Sequence, residues 1–158
     1  MKKLFYFMLL ALPLGFVSCD DDDDLPNVEI YATFEGGTQV DDVYYVVQGE
    51  DLIVSDVQLV NNGDKEATIG GVRYFWDYMP LGTTITQPYA ITINTAETPV
   101  GNHLLQAEMP IYAVGYSLCT GFFAKKIKVV AEEEDIPPVD TPSDSKVSAS
   151  IQSGDADK

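Results

Sequence analysis

Thr68-Ile69-Gly70-Gly71-Val72-Arg73-Tyr74-Phe75-Trp76-Asp77-Tyr78 is the stretch that decides the fold. Val72, Tyr74 and Trp76 share one parity while Arg73, Phe75 and Asp77 share the other. That two-residue period belongs to a strand with one face turned inward. Branched and aromatic side chains, which suit a pleated surface, fill most positions. Pro80 and Gly82 are expected to close the strand.

Working outward, the same period recurs. Val28, Ile30, Ala32 and Phe34 alternate up to Gly36-Gly37, and Val43 to Val47 is β-rich up to Gly49-Glu50. Leu52 to Val60 follows, with Ile53, Val57 and Leu59 on one face, before the turn cluster Asn61-Asn62-Gly63-Asp64. On the C-terminal side Tyr89, Ile91 and Ile93 alternate with Ala90 and Thr92, and Pro99 with Gly101 demands a turn. His103, Leu105, Ala107 and Met109 share a face, with Pro110 predicted to force a bulge or an edge position. Gly115 to Gly121 reads as a turn into Phe122 to Val130, where Ile127 and Val129 alternate with Lys126 and Lys128. No mature stretch sustains a 3.6-residue apolar period. About seven short strands, with turns roughly every ten residues, predict an all-β, two-sheet sandwich.

The ends differ in character. Met1-Lys2-Lys3 followed by apolar Leu4 to Phe16 has the layout of a secretory signal peptide, and the run is short for a membrane span of roughly 20 residues. Val17-Ser18-Cys19 resembles the end of a bacterial lipoprotein signal, which implies diacylation of Cys19 and residues 1–18 removed. Two or more acyl chains anchor stably where one does not. Asp20, Asp21, Asp22, Asp23 and Asp24 form a solvated, self-repelling run without the spaced ligands or glycine turn of a calcium loop. The run is similar to the acidic export signal of Bacteroidota surface lipoproteins, which implies an outward-facing position on the outer membrane. Under the enteric rule, Asp20 alone would instead retain the chain facing the periplasm. Residues 19–26 therefore read as a lipidated cysteine and acidic spacer reaching some 20 Å at about 3.3 Å per residue. The foldable part is 27–131, and 132–158 reads as a disordered acidic tail with too little apolar surface to offset chain entropy.

Charge narrows the partners. Twenty-five acidic residues face nine basic ones, for a net −16. Loss of Lys2 and Lys3 with the leader takes this to −18. Such a chain lacks the cations that nucleic-acid phosphates require, and it would not lie flat on anionic lipid. With Cys19 lipidated, Cys119, between Leu118 and Thr120-Gly121, reads as a buried or half-buried thiol. No zinc spacing, phosphate loop or paired carboxylates stand out. His103 reads as a strand residue, and Ser117 lacks a nucleophile-elbow context. No cofactor, metal site or catalytic residue is expected.

Val72-x-Tyr74-x-Trp76-Asp77, then Leu81-Gly82-Thr83, Pro88-Tyr89, Asn94-Thr95 and Gly101-Asn102-His103-x-Leu105-x-Ala107 together resemble bacterial immunoglobulin-like domains of exported and surface proteins. The resemblance spans about 36 residues, from Val72 to Ala107. It implies an immunoglobulin-like sandwich in which Trp76, His103 and Leu105 are scaffold, Trp76 as a large buried anchor. Function is then expected from a binding surface, with no enzyme activity. Tyr45, Tyr78, Tyr112 and Tyr116 fall near predicted turns, where tyrosine can stack on sugars or anchor a protein partner, although tyrosine is also simply a good strand residue. The expected role is a lipid-anchored binding or adhesion module for glycan or protein. The alternatives are a structural accessory of an envelope complex, docked through an edge strand, and a periplasm-facing lipoprotein.

Overall fold

The computed structural model describes residues 25–139, 146–148 and 150–153. In chain order the strands are β1 (Val28–Glu35), β2 (Thr38–Val40), β3 (Val43–Val47), β4 (Asp51–Asn61), β5 (Ala67–Ile69), β6 (Val72–Trp76), β7 (Met79–Thr84), β8 (Ile91–Asn94), β9 (Gly101–Ala113), β10 (Cys119–Val130), β11 (Lys146–Ser148) and β12 (Ser150–Ser153). Among the described residues the helical content is one 3-10 turn, Glu133–Asp135, and no helix is long and apolar enough to cross a membrane.

The smaller sheet has the order β11-β1-β4-β8, and the larger β2-β3-β10-β9-β6-β7. β1, β4 and β8 thus stand in the places of strands A, B and E of an immunoglobulin-like sandwich. β6, β9 and β10 stand in those of C, F and G, with β7 added beside C. β3 leaves the first sheet's side to run parallel to β10, pairing Val43 with Lys126 through to Val47 with Val130. The domain is an all-β, immunoglobulin-like two-sheet sandwich.

Alternation fills the space between the sheets. Ile30, Ala32 and Phe34 of β1 and Leu52, Val54 and Val57 of β4 meet Val72, Tyr74, Leu105, Ala107, Met109, Phe123, Ile127 and Val129 of the larger sheet, all buried. Full burial of each large apolar side chain is worth about 1.5–3 kcal/mol. Phe123 packs edge-on against both Phe34 (6.3 Å) and Tyr74 (6.5 Å), joining the two layers.

Several local expectations are corrected. The deciding stretch is broken at Gly70-Gly71 into β5 and β6, because Gly71 takes φ +144 and a Cβ there would sit 3.1 Å from the Thr84 carbonyl oxygen. Pro110 forces no bulge in its own strand. It sits mid-β9, and its carbonyl, which accepts from Gly70 N–H at 2.9 Å, faces this break, so the missing proline N–H falls where the neighbouring ladder is already interrupted. β4 turns Leu52 and Val54 inward rather than Ile53, because a bulge opposite Thr33/Phe34 shifts the parity before Val57. Trp76 is half-buried near one end of β6, and Tyr74 occupies the deep position with its hydroxyl donating to the Tyr89 carbonyl at 2.6 Å. Pro80 and Gly82 do not stop the chain but lie within β7, an edge strand that tolerates them. Gly121 is no turn residue. It faces the core, and a Cβ there would lie 2.6 Å from Ile30 Cδ1.

The tail also departs from the disordered segment expected from composition. β10 is paired with β3 only over Lys126–Val130, which leaves the edge at Cys119–Phe122 open, and β12 pairs there. β11 adds to the free side of β1. Ile151 packs against the core. Two unfilled strand edges, rather than a new core, recruit these short segments.

Candidate functional site: an aromatic groove on the larger sheet

The outward face of the larger sheet is set by the register of three strands. Arg73 lies opposite Glu108, which lies opposite Phe122; Phe75 lies opposite Gln106, which lies opposite Ala124. The first row closes with an ion pair, Arg73 Nη1 to Glu108 Oε2 at 3.6 Å. Phe75, Gln106, Glu108, Phe122 and Ala124, with Tyr78 at one end, line a groove of about 470 Å³. Two phenyl rings and a phenol around a few hydrogen-bonding groups form a surface for a ligand with a flat apolar face and a polar edge.

Tyr78 is the unusual member. Asp77 (φ 50) and Tyr78 (φ 68) form the β6–β7 turn, both left-handed. Such two-residue turns favour Asn-Gly or Asp-Gly, since positive φ costs a side-chain-bearing residue about 1–2 kcal/mol. Asp77 has a structural return: its Oδ1 accepts from Leu104 N–H at 2.8 Å and its Oδ2 lies 2.7 Å from His103 Nδ1. His103 Nε2 lies 2.8 Å from the Pro99 carbonyl oxygen, and the ring stacks on Trp76 at 5.1 Å. Both ring nitrogens therefore face acceptors within the scaffold, and His103 and Trp76 act together in pinning the end of the sandwich. Tyr78 has no comparable return, with 73% of its surface exposed.

The remaining singled-out residues lie elsewhere. Tyr45 is half-buried on β3 with Lys128 Nζ 5.7 Å from its ring. Tyr112 and Tyr116 sit at the opposite end of the sandwich from Tyr78, in a second cleft of about 580 Å³ with Val114 and Leu118. Cys119 is buried, its thiol directed at the Ser117 carbonyl at 3.3 Å. Cys19 and Asp20, Asp21, Asp22, Asp23 and Asp24 lie outside the described residues. Among the described residues no three His, Cys, Asp or Glu side chains gather as metal ligands.

Sequence reasoning missed Lys125. It shares the inward parity of Phe123 and Ile127 and is only 5% exposed. Burial pushes its ammonium below the ordinary lysine range, with the Asp42 charge acting in the other direction. Asp42 itself is held low by its hydrogen bond with Lys126 Nζ at 2.6 Å. The Phe123-Lys125-Ile127-Val129 alternation was the available signal.

No known family profile and no curated protein matches this chain. Among solved structures, fibronectin(III)-like modules of Clostridium thermocellum CbhA align with a TM-score of 0.38 and 18% identity, covering 61% of this chain and 96% of that one.

Proposed function

We propose that this protein is a non-enzymatic, lipid-anchored binding or adhesion module of the outer cell surface, and that the groove between Tyr78 and Phe122 is its ligand surface. Tyr78 carries the reading. A residue held at an unfavourable φ with its ring in solvent lowers stability, and such strain is accounted for when the side chain serves a ligand. Tyrosine and phenylalanine offer rigid faces that lose little entropy on binding, suited to a sugar ring or to an apolar protein anchor. Lipidation of Cys19, with Asp20 to Asp24 as the export signal, would present this groove outward.

The test has two steps. Protease shaving of intact cells removes a surface-exposed domain and spares a periplasmic one. The full chain is then screened on glycan arrays and against surface extracts, with Tyr78→Ala and Phe122→Ala beside it. The reading expects binding that falls at least tenfold in both variants; binding that neither variant changes overturns the groove assignment.

The accessory-subunit alternative has its own observation, since Met79, Leu81 and Ile85 are exposed along or beside edge strand β7. It predicts co-purification of a partner that survives Tyr78→Ala and is lost on Leu81→Lys.

A further inference from the structure

We propose that the end of the sandwich carrying Tyr112, Val114, Tyr116 and Leu118 is a bilayer contact, seated on the membrane that holds the acyl chains of Cys19. This rests on the lipid-anchor reading above and adds an orientation and a docking surface to it.

Strand directions show which end that is. β1 starts there, and the preceding residue is fixed beside the cleft: the Asn62 N–H donates to the Asn27 carbonyl at 2.8 Å. β9 runs toward this end and β10 away from it, so their connection, 114–118, projects from the same end. The chain leading from Cys19 therefore joins the domain next to the cleft.

Length then excludes the reverse orientation. Eight residue-to-residue steps join Cys19 to Asn27 and span at most roughly 28 Å. β9 alone has 13 residues, or about 40 Å at 3.3 Å each. A domain standing on its Tyr78 end would carry Asn27 beyond the reach of its own anchor. Lying on its larger sheet would set the ion pairs Arg73–Glu108 and Lys126–Asp42, rather than apolar side chains, against the bilayer. Standing on the Asn27 end satisfies both constraints.

The chemistry of that end fits. Val114 is 65% exposed, Leu118 53% and Tyr112 54%, clustered at one tip. The loop Val114-Gly115-Tyr116-Ser117-Leu118 has no charge, and Glu66, preceded by Lys65, is the one charged residue lining the cleft beside it. Lys65 Nζ lies 5.1 Å from the Tyr116 ring, placing a cation beside a phenol. Tyrosine bodies with a nearby lysine suit the headgroup level, and short aliphatic side chains suit the layer below. Tethering makes the contact intramolecular, so a weak apolar tip suffices. The same orientation turns Tyr78 and the groove's open end away from the membrane.

The native chain contains one tryptophan, Trp76, near the end opposite the tip. The lipidated full chain, verified by palmitate incorporation, is reconstituted into phosphatidylethanolamine vesicles containing phosphatidylcholine brominated along its acyl chains. Native Trp76 is compared with Trp76→Phe/Leu118→Trp and Trp76→Phe/Val114→Trp, both checked for a retained fold by circular dichroism because each loses the Trp76–His103 stack. The third comparison is Leu118→Trp alone, in which the added tryptophan is quenched on top of a constant Trp76 signal. The expected result is at least twofold quenching of tryptophan at 118 and at 114, with Trp76 emission unchanged. Labelled, vesicle-bound chains in which neither tip tryptophan is quenched overturn the docking surface and leave the anchor intact. Quenching of Trp76 equal to that at the tip overturns it in favour of a flat pose. Absence of palmitate together with absence of vesicle binding overturns the anchor reading itself, and the docking surface with it.

Discussion

Replacing Lys125 by methionine should stabilise this protein, although it removes a charge from an already acidic chain. Lys125 faces the core between Phe123 and Ile127 on β10 and is 5% exposed. No hydrogen bond to its ammonium is present among the described residues. The stem lies in the core while the ammonium keeps access to water, so partial desolvation costs about 1 kcal/mol, the low end for buried polar groups. Methionine keeps most of the stem's packing and removes that head. The attraction of Asp42 offsets part of that cost. The net expectation is a gain of up to about 1 kcal/mol, or up to about 5 °C in Tm for a domain of this size. The pH dependence supplies an independent check. A lysine whose folded pKa is lowered binds its proton less tightly in the folded state than in the unfolded one. Its stability penalty is therefore fully present at neutral pH, and shrinks as pH rises from the lowered value toward the ordinary 10.5. Urea denaturation at neutral pH and again just below pH 10.5 should show wild type gaining on Lys125→Met across that window. A variant that is less stable at neutral pH, or a wild-type-minus-variant difference that is flat across the window, would refute the reading of Lys125 as a partly desolvated cation on a core-facing stem.

Three further changes probe the frame. Tyr78→Gly should raise stability by up to about 1 kcal/mol in urea melts, because glycine accepts the left-handed turn position freely, while abolishing ligand binding; a loss of stability would show that the ring packs more than it strains. Gly121→Val should cost about 1–3 kcal/mol by overpacking against Ile30, Ile111 and Met109, read as a lowered Tm with fold retained by circular dichroism. Tyr89→Phe removes the hydroxyl that donates to the Ile69 carbonyl at 3.0 Å in the interior and should cost about 1–2 kcal/mol; an unchanged denaturation midpoint would mean that the β5 carbonyl finds another donor.

The features legible in the sequence are those that depend on residues near one another in the chain. β1, β8 and the body of β9 follow from parity, since one face of each meets the core, and β3 follows from its run of branched and aromatic residues. Misreadings arose where a residue's meaning is set by a strand distant in sequence. Pro80 and Gly82 stop a central strand but are tolerated in β7, and its edge position is a property of the whole sheet order. Gly121 looks like a turn until Ile30 of the facing sheet is placed 2.6 Å from its missing Cβ. Lys146–Ser148 and Ser150–Ser153 have no core of their own, and their pairing depends on edges left open by β1 and β10.

The groove shows the same limit more sharply. Phe75, Gln106 and Phe122 come from three strands, and nothing in their local sequence places them side by side; only the registers of β6 on β9 and of β9 on β10 do so. Slipping either register by one residue would send every side chain of the moved strand to the opposite face, putting Phe75 or Phe122 into the core and Tyr74 or Phe123 into solvent. The buried rows Tyr74–Ala107 and Ala107–Phe123 therefore fix the exposed rows behind them. The packing that holds the two sheets together also sets the spacing of the aromatic rings outside. A core substitution that crowds β10 against Ile30, Ile111 and Met109, such as Gly121→Val, is thus expected to weaken binding at the groove without touching a groove residue, read as a weaker signal for the same ligand that Tyr78→Ala loses.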